Sequence, residues 1–364
     1  MARTSVNQIE DNFKTYQQDH TLTFDKTIKG GHHITALAGF STLYHYHDRL
    51  YGSRTDTTLN IPNNPMFWYV SVAQSSNPTS LNTEENTSYQ GEDASISYLA
   101  RVNYSFRNRY LLNATYRRDG TSKFSPSHHW GNFGSIGAGW VLTDESFLQD
   151  VSWLNFLKIK GAWGTVGNGL NIGNYLSYPV LLNSGVGIFG NNIYSSVSPQ
   201  YIPDSNLHWE VVKGTDIGFE GRFLRNRLNV DVDFYDRKTH DILTTITLPA
   251  TATSPSKDYF TNLGTIDNKG IEITLSWNDH IGKDWRYSLA GNFSVNKNKV
   301  ESIGNAFNFQ IFPNGVNLTQ SGYSIGYFYG YKQTGIYQTT AELDKSPHFS
   351  TSTPGDIKYA DVNG

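Results

Sequence analysis

Runs of about ten residues along this 364-residue chain alternate between apolar or aromatic and polar or charged positions, a period of two that argues for strands. Tyr98, Ala100, Val102, Tyr104 and Phe106 interleave with Leu99, Arg101, Asn103 and Ser105, and after Arg107-Asn108-Arg109 the alternation restarts with Tyr110, Leu112, Ala114 and Tyr116. Successive strand side chains point to opposite faces, so this is a hairpin with one wet and one greasy face. The pattern returns in Leu228, Val230, Val232 and Phe234 against Asn229, Asp231, Asp233 and Tyr235, and in Ile271, Ile273, Leu275 and Trp277 against Glu272, Thr274 and Ser276. Tyr287, Leu289, Phe293 and Val295 against Arg286, Ser288, Asn292 and Asn296 repeat it once more. A tilted strand of roughly 9–11 residues crosses a bilayer, and these runs have that length.

Strands are predicted over 21–28 and 33–47, around Lys29-Gly30-Gly31, and over 67–73. A polar loop is expected over 74–93. Strands follow over 95–106, 109–119, 131–142 and 155–165, with Thr143-Asp144-Glu145-Ser146-Phe147-Leu148 as a short capped helical turn. The Gly-, Asn-, Ser- and Tyr-rich stretch 167–207 reads as a long irregular loop. The last third offers strands over 209–223, 227–243, 266–277, 285–298 and 326–339. Tight turns such as Arg225-Asn226 alternate with connections of twenty residues or more, an asymmetry that suits a bacterial outer-membrane barrel better than a compact soluble domain.

Alternation alone leaves two architectures open, because the apolar face is a packed core in a soluble sandwich and a lipid-facing surface in a membrane barrel. Composition favours the second. Only 37% of residues are hydrophobic, yet aromatics reach 14%, with 23 Tyr, 20 Phe and 8 Trp, many of them at strand ends where amphipathic rings suit a membrane–water interface. A mean hydropathy of −0.48 is compatible with this, since a barrel spends half of each strand and most of its loops on water. No run of about 18 apolar residues is present, which excludes helical spans. Cysteine is absent, removing disulfides and thiolate metal sites, and a net charge of −3 offers no electrostatic footprint for nucleic acid.

The chemical motifs are weak. Gly185-Val186-Gly187-Ile188-Phe189-Gly190 satisfies G-x-G-x-x-G, but the Asn191-Asn192-Ile193-Tyr194 that follows opens no helix to meet a pyrophosphate, so flexible loop backbone is the better account. Asp231 and Asp233 share a strand face, and Asp216 and Glu220 come near them across the 224–226 turn. A glycosidase pair is conceivable there; an acidic, wet wall is the simpler reading. His45 and His47 share a face without a visible third metal ligand. Asp361 and Asn363 resemble the first two ligands of a calcium loop, too few for a site. Asn-x-Ser/Thr matches at Asn103, Asn113 and Asn292 fall within strands and carry no weight. Loop aromatics Tyr175, Tyr178, Phe189, Tyr194 and Tyr201 suit either sugar stacking and lid-protein contact or simple loop packing.

Several longer stretches, in order, carry a family resemblance. They are Tyr116-Arg117-Arg118-Asp119-Gly120-Thr121-Ser122-Lys123-Phe124, Trp130-Gly131-Asn132-Phe133 leading to Ala138-Gly139-Trp140, and Leu157-Lys158-Ile159-Lys160-Gly161-Ala162-Trp163-Gly164-Thr165-Val166-Gly167-Asn168. Trp209-Glu210, Asp233-Phe234-Tyr235, Thr239-His240-Asp241-Ile242-Leu243, Asn268-Lys269-Gly270-Ile271-Glu272, Gly330-Tyr331-Lys332, Gly335-Ile336 and Pro354-Gly355-Asp356-Ile357-Lys358-Tyr359 continue the series. Together they resemble the SusC/RagA-type TonB-dependent outer-membrane transporters of Bacteroidetes. The resemblance implies a plugged barrel of about 22 strands. It further implies a SusD-like lipoprotein at the extracellular mouth and import of oligosaccharides or peptides energised through TonB. Met1-Ala2-Arg3-Thr4-Ser5-Val6 opens without a secretory signal, and neither a plug nor later barrel strands are recognisable, so a piece of a longer protein is expected.

The expectation is therefore an all-β chain, an antiparallel transmembrane β-barrel in part, roughly ten to twelve strands of a larger barrel with long extracellular loops. Residues 1–364 are expected to form a single partial barrel domain in the cell outer membrane. No catalytic, substrate-binding or metal-ligating residue is assigned, no cofactor is called for, and enzyme activity is not expected. A soluble β-sandwich carbohydrate-binding module and a non-transport surface adhesin are the alternatives. Val230 and Val232 are expected to face lipid and to resist replacement by Arg at a cost of roughly 2–4 kcal/mol near the midplane, with Asn229→Arg mild.

Overall fold

A computed structural model describes residues 4–56, 65, 68–69, 84–169, 173–190, 192–247, 258–304, 309–311 and 315–361. The chain divides into two compact units, Met1–Leu263 with Lys269–Asn296, and Gly264–Asn268 with Lys297–Gly364.

The first unit is organised by a ten-stranded antiparallel sheet in the order β1-β2-β3-β4-β5-β6-β9-β10-β13-β14. Its strands are β1 (Thr4–Ile28), β2 (His32–Asp56), β3 (Glu84–Phe106), β4 (Tyr110–Thr121), β5 (Trp130–Val141) and β6 (Leu154–Asn168). After these come β9 (Glu210–Phe223), β10 (Leu228–His240), β13 (Thr265–Ile281) and β14 (Trp285–Ser302). Two small hairpins stand outside this order: β7 (Leu181–Phe189) with β8 (Asn192–Pro199), and β11 (Leu243–Thr247) with β12 (Asp258–Asn262). Every sheet strand pairs with its sequence neighbour or skips only such a hairpin, so connections alternate between the two ends of the sheet. One end carries the tight turns. Arg107 and Asn108 adopt φ of 54°, and Leu224, Arg225 and Asn226 are consecutively left-handed, with the Arg227 amide donating to the Leu224 carbonyl at 3.4 Å. The other end carries the long connections.

The second unit holds short strands: β15 (Phe309–Ile311), β16 (Asn317–Gln320) and β17 (Tyr327–Phe328) in one sheet, and β18 (Gln333–Ile336) with β19 (Ile357–Tyr359) in another. Between them α1 (Thr340–Leu343) is capped by the Thr339 hydroxyl, which accepts from the Glu342 amide at 3.2 Å. Tyr337 is buried here and donates to the Pro347 carbonyl at 2.5 Å.

Several expected boundaries move. β1, β2 and β3 run far beyond the 21–28, 33–47 and 95–106 segments, so the second half of the expected 74–93 loop is strand. The 167–207 stretch contains the β7–β8 hairpin, and the expected 227–243 strand breaks at Asp241, whose φ of 55° ends β10 before β11 begins. Residues 326–339 form two short strands in place of one. The expected helical turn is a single 3₁₀ turn, Leu142–Asp144, without a side-chain cap. The 67–73 strand lies almost wholly outside the described residues.

The two faces of the sheet settle the architecture. Val102, Leu112, Ile136, Trp163, Ile217, Phe234, Leu289 and Phe293 lie on one face and are between 44% and 73% exposed. In a sandwich they would be core; among the described residues no second sheet covers them. Aromatic rows border this bare band. Phe106, Tyr110 and Trp140 stack with ring centroids 6.2 and 6.4 Å apart near the tight-turn end, and Phe40, Tyr98 and Trp130 at 5.4 and 6.1 Å nearer the other end. Trp130 and Trp140 sit ten residues apart on β5. At a rise of about 3.4 Å per residue and a tilt of about 40° this is about 26 Å of height, the thickness of an outer-membrane apolar band.

Candidate functional site

The opposite face is polar and paired. Lys158, Lys160, Asp216, Glu220, Asp231 and Asp233 meet there because β6, β9 and β10 are neighbours in register: Lys158 lies opposite Glu220, and Glu220 opposite Asp231. The Lys160 ammonium donates to Asp231 at 2.9 Å and to Asp233 at 2.8 Å, Lys158 bridges Glu220, and Arg237 reaches Asp216 at 3.2 Å. The expected four-carboxylate cluster therefore exists, but each member has a cationic partner. A glycosidase pair needs one carboxyl group in apolar or like-charged surroundings, and here all four carboxylates are tied to cations. With Lys160 shared by two carboxylates, this is an ion-paired wall that keeps one negative charge in excess.

His45 and His47 also lie on the polar face, and each has its own carboxylate. His45 contacts Asp93 at 3.4 Å; His47 contacts Asp11 at 2.9 Å and stacks on Phe13 at 4.1 Å. They do not converge on a shared ligand position. Asn103 and Asn113 face each other across β3 and β4, and Asn292 lies within β14. Asn363 falls outside the described residues.

Towards the long-connection end the polar face hollows into a concavity of about 530 Å³, lined among others by His45, Asp93, Arg117, Asp119, Lys123 and Trp209. Arg117 donates through Nε to both oxygens of Asp119, at 2.6 and 2.8 Å, and through a terminal nitrogen to Ser97 at 3.1 Å. The glycine at 167 is required by close approach, because a Cβ there would lie 1.9 Å from the Phe133 ring. The arrangement offers aromatic and apolar surface with fixed charged groups around it, the composition of a recognition cleft.

The rim of this cleft has its own small core. Phe124, from the β4–β5 connection, and Leu207, before β9, are 0% and 1% exposed, and Leu176, Trp209, Leu243 and Phe260 pack against them. Trp209 meets Phe124 and Phe133 edge-on, both at 5.6 Å, and donates its indole N–H to the His129 carbonyl at 3.2 Å. Beside it Glu210 accepts from the Leu243 amide at 3.1 Å and from the Asn168 amide group at 3.3 Å. One carboxylate thus ties the ends of β6, β9 and β11 together. The resemblance motifs that contain Phe124, Asn168, Trp209-Glu210 and Leu243 are far apart in sequence and meet here. Their individual roles were invisible in the sequence, where only the motif letters marked them.

Among the loop aromatics, Tyr201 is a packing residue: it is 7% exposed, meets Phe260 edge-on at 5.7 Å and donates to the Tyr178 carbonyl at 2.9 Å. Phe189 and Tyr194 are exposed on the β7–β8 hairpin, 6.0 Å apart. Gly185–Gly190 is consequently strand and tight turn followed by strand, replacing the expected flexible loop and leaving no helix N-terminus for a dinucleotide.

At the tight-turn end Glu145 ties the 3₁₀ connection to the sheet. It accepts from the Tyr110 hydroxyl at 2.6 Å, the Trp140 indole at 3.0 Å and Arg109 at 2.8 Å. The Tyr110 hydroxyl, with Trp140 and Arg109 behind it, holds the Glu145 carboxyl below the usual range.

Comparison with known proteins agrees with this geometry. The family model for the TonB dependent receptor-like β-barrel matches residues 3–359. TonB-dependent receptor P39 of Formosa agariphila is 29% identical over 350 residues, covering 95% of this chain and 31% of that protein. TonB-dependent receptor SusC of Bacteroides thetaiotaomicron is 32% identical over 271 residues, 70% of this chain and 27% of the relative. The solved RagAB peptide transporter superposes with a TM-score of 0.76 at 25% identity, over 92% of this chain and 35% of the matched chain. The chain therefore spans about a third of the length of these relatives. With a bare apolar band on one face, a charge-paired opposite face and a family match along almost its whole length, the chain belongs to the TonB dependent receptor-like β-barrel family of the outer membrane.

Proposed function

We propose that residues 1–364 act as one partial barrel domain, supplying wall and extracellular loops to an active nutrient importer. The importer is energised through TonB and works with a SusD-like lipoprotein at its mouth. Its cargo is an oligosaccharide or a peptide; the matched RagAB protein is a peptide transporter. The observation that carries the reading is the pairing of a bare apolar band about 26 Å tall with a charge-paired polar face, the division of labour of a wall between lipid and a wet lumen. The long connections, clasped by Glu210 and the Phe124 core, then stand on the outside of the cell. The test is to express the whole natural reading frame, fractionate the cells and seek a heat-modifiable, detergent-requiring β-protein in the outer membrane, with uptake measured in the presence and absence of TonB. Recovery as a soluble monomer, or uptake indifferent to TonB, would overturn the proposal.

A further inference from the structure

The outward face of the sheet, which carries the bare apolar band, does not end in aromatic rings alone. Arg118 on β4 shares that face with Tyr110, Leu112, Ala114 and Tyr116, and stands opposite Tyr98 of the upper aromatic row. Its guanidinium lies 4.9 Å from the centre of the Trp130 ring. The ring rests across Gly120, where a Cβ would come within 2.9 Å of it. β4 and β5 thus build a flat indole platform and lay one arginine on it.

Stacking occupies the face of a guanidinium and leaves its N–H edge open, and that planar fork matches two oxygens of a phosphate. Among the described residues Arg118 has neither a hydrogen-bond acceptor nor a carboxylate at that edge. Arg117, one residue back on the inner face, is by contrast committed to Asp119 and Ser97. Two more cations crown the outward face three strands away, about 14 Å along the sheet at about 4.8 Å per strand. Lys213 on β9 and Lys238 on β10 are directly opposite each other, four residues beyond the paired Ile217 and Phe234, which are 58% and 53% exposed. At about 3.4 Å per residue and a tilt of about 40° the lysines stand about 10 Å above that apolar pair. Asp236, two residues below Lys238, is bridged by Lys269 at 3.0 Å and does not cancel them. At this height the lipid side of a barrel wall meets headgroups, and basic side chains there attract anionic ones. In a bacterial outer membrane the outward leaflet is a phosphorylated glycolipid.

We propose that Arg118, held on Trp130, anchors a phosphate of the outer-leaflet glycolipid, with Lys213 and Lys238 as a second phosphate contact on the same face. The proposal rests on the reading that the long connections lie outside the cell, and adds a lipid site to it. The attachment weakens as salt is raised, because charge carries it.

The test uses the full natural protein, purified from outer membranes in detergent, with retained glycolipid counted per barrel by mass spectrometry. Binding to micelles that contain diphosphorylated or dephosphorylated lipid A is measured beside it. Wild-type protein should retain glycolipid and prefer the diphosphorylated form. Arg118→Gln should lower retention at least about fivefold, and adding Lys213→Gln with Lys238→Gln should lower it further. Arg118→Lys, which keeps the charge and loses the fork, should fall between wild type and Arg118→Gln. Arg101→Gln, on the inner face of β3, should change nothing. Heat-modifiability shows that each variant has folded. Equal retention by wild type and Arg118→Gln, or equal binding of the two lipid A forms by wild type, overturns the site. The orientation is read separately from Lys283→Cys in a tight turn. A membrane-impermeant maleimide should label it above wild-type background only after the cells are permeabilised. Labelling on intact cells overturns the orientation reading, whatever the lipid result.

Discussion

Replacing Ile136 by Arg tests the membrane wall at its most sensitive point. Ile136 lies on the apolar face of β5, 50% exposed, four residues from Trp140 and six from Trp130. With about 3.4 Å per residue and a tilt of about 40°, it stands about 10 Å above one aromatic row and about 16 Å below the other, within about 3 Å of the midplane. An Arg at that depth costs about 2–4 kcal/mol, and a value of 3 kcal/mol is a factor of about 160 in the folding equilibrium. Asn113→Arg is the matched control, because Asn113 lies at the same height on the polar face, opposite Gly137, and should cost well under about 1 kcal/mol. Trp140→Arg, at the interface, should fall to about 0–1 kcal/mol for the charge itself, with the lost ring contact added. Reversible folding into lipid bilayers, titrated with guanidinium, measures all three. Equal costs at Ile136 and Asn113 would refute the face assignment. Ile136 is a sharper probe than Val232, which lies on the same apolar face but is only 9% exposed opposite Phe219, so that steric crowding would mix with lipid exclusion.

Phe124→Ala should cost about 3–5 kcal/mol locally, since the ring is fully buried in the rim core, and limited proteolysis should then cut within 203–209 and the β11–β12 hairpin while the sheet stays resistant. Glu210→Ala removes the acceptor for the Leu243 amide, and hydrogen exchange there should accelerate by about 10- to 160-fold, corresponding to about 1.5–3 kcal/mol for a bond to a charged group. Glu145 supplies a pH test. Its folded-state carboxyl titrates below its ordinary value of 4.5, so its contribution is complete above that pH and disappears as pH falls through the lower folded value. Glu145→Gln should remove this acid-dependent component, read from Trp140 fluorescence during acid titration, and an unchanged profile would dismiss the clasp.

The period-two pattern made the hairpins legible because face polarity is a local property: each residue of β4 or β10 declares its side regardless of the rest of the chain. Outer extensions of β1 and β3 were illegible for the same reason. Segments such as Gln17-Gln18-Asp19-His20 and Glu84-Glu85-Asn86-Thr87 are polar on both faces, and only their neighbours' backbones make them strands. β7 and β8 were hidden by glycine and serine, which read as turn residues until a partner strand supplies the ladder. The Glu210 clasp joins residues 33 and 42 positions away, beyond any local pattern, although the Trp209-Glu210 motif flagged the place.

The ion pairs on the polar face set the electric character of that surface. Lys158, Lys160 and Arg237 each sit against carboxylates, so the wall acts electrically as a row of short dipoles with one negative charge left over. At physiological ionic strength even the remaining field is spent within about 8 Å. In the proposed importer, a solute passing this stretch would meet a weak negative field that fades within a few ångströms of the wall. On that reading this stretch would select more by size and by exchangeable hydrogen bonds than by charge.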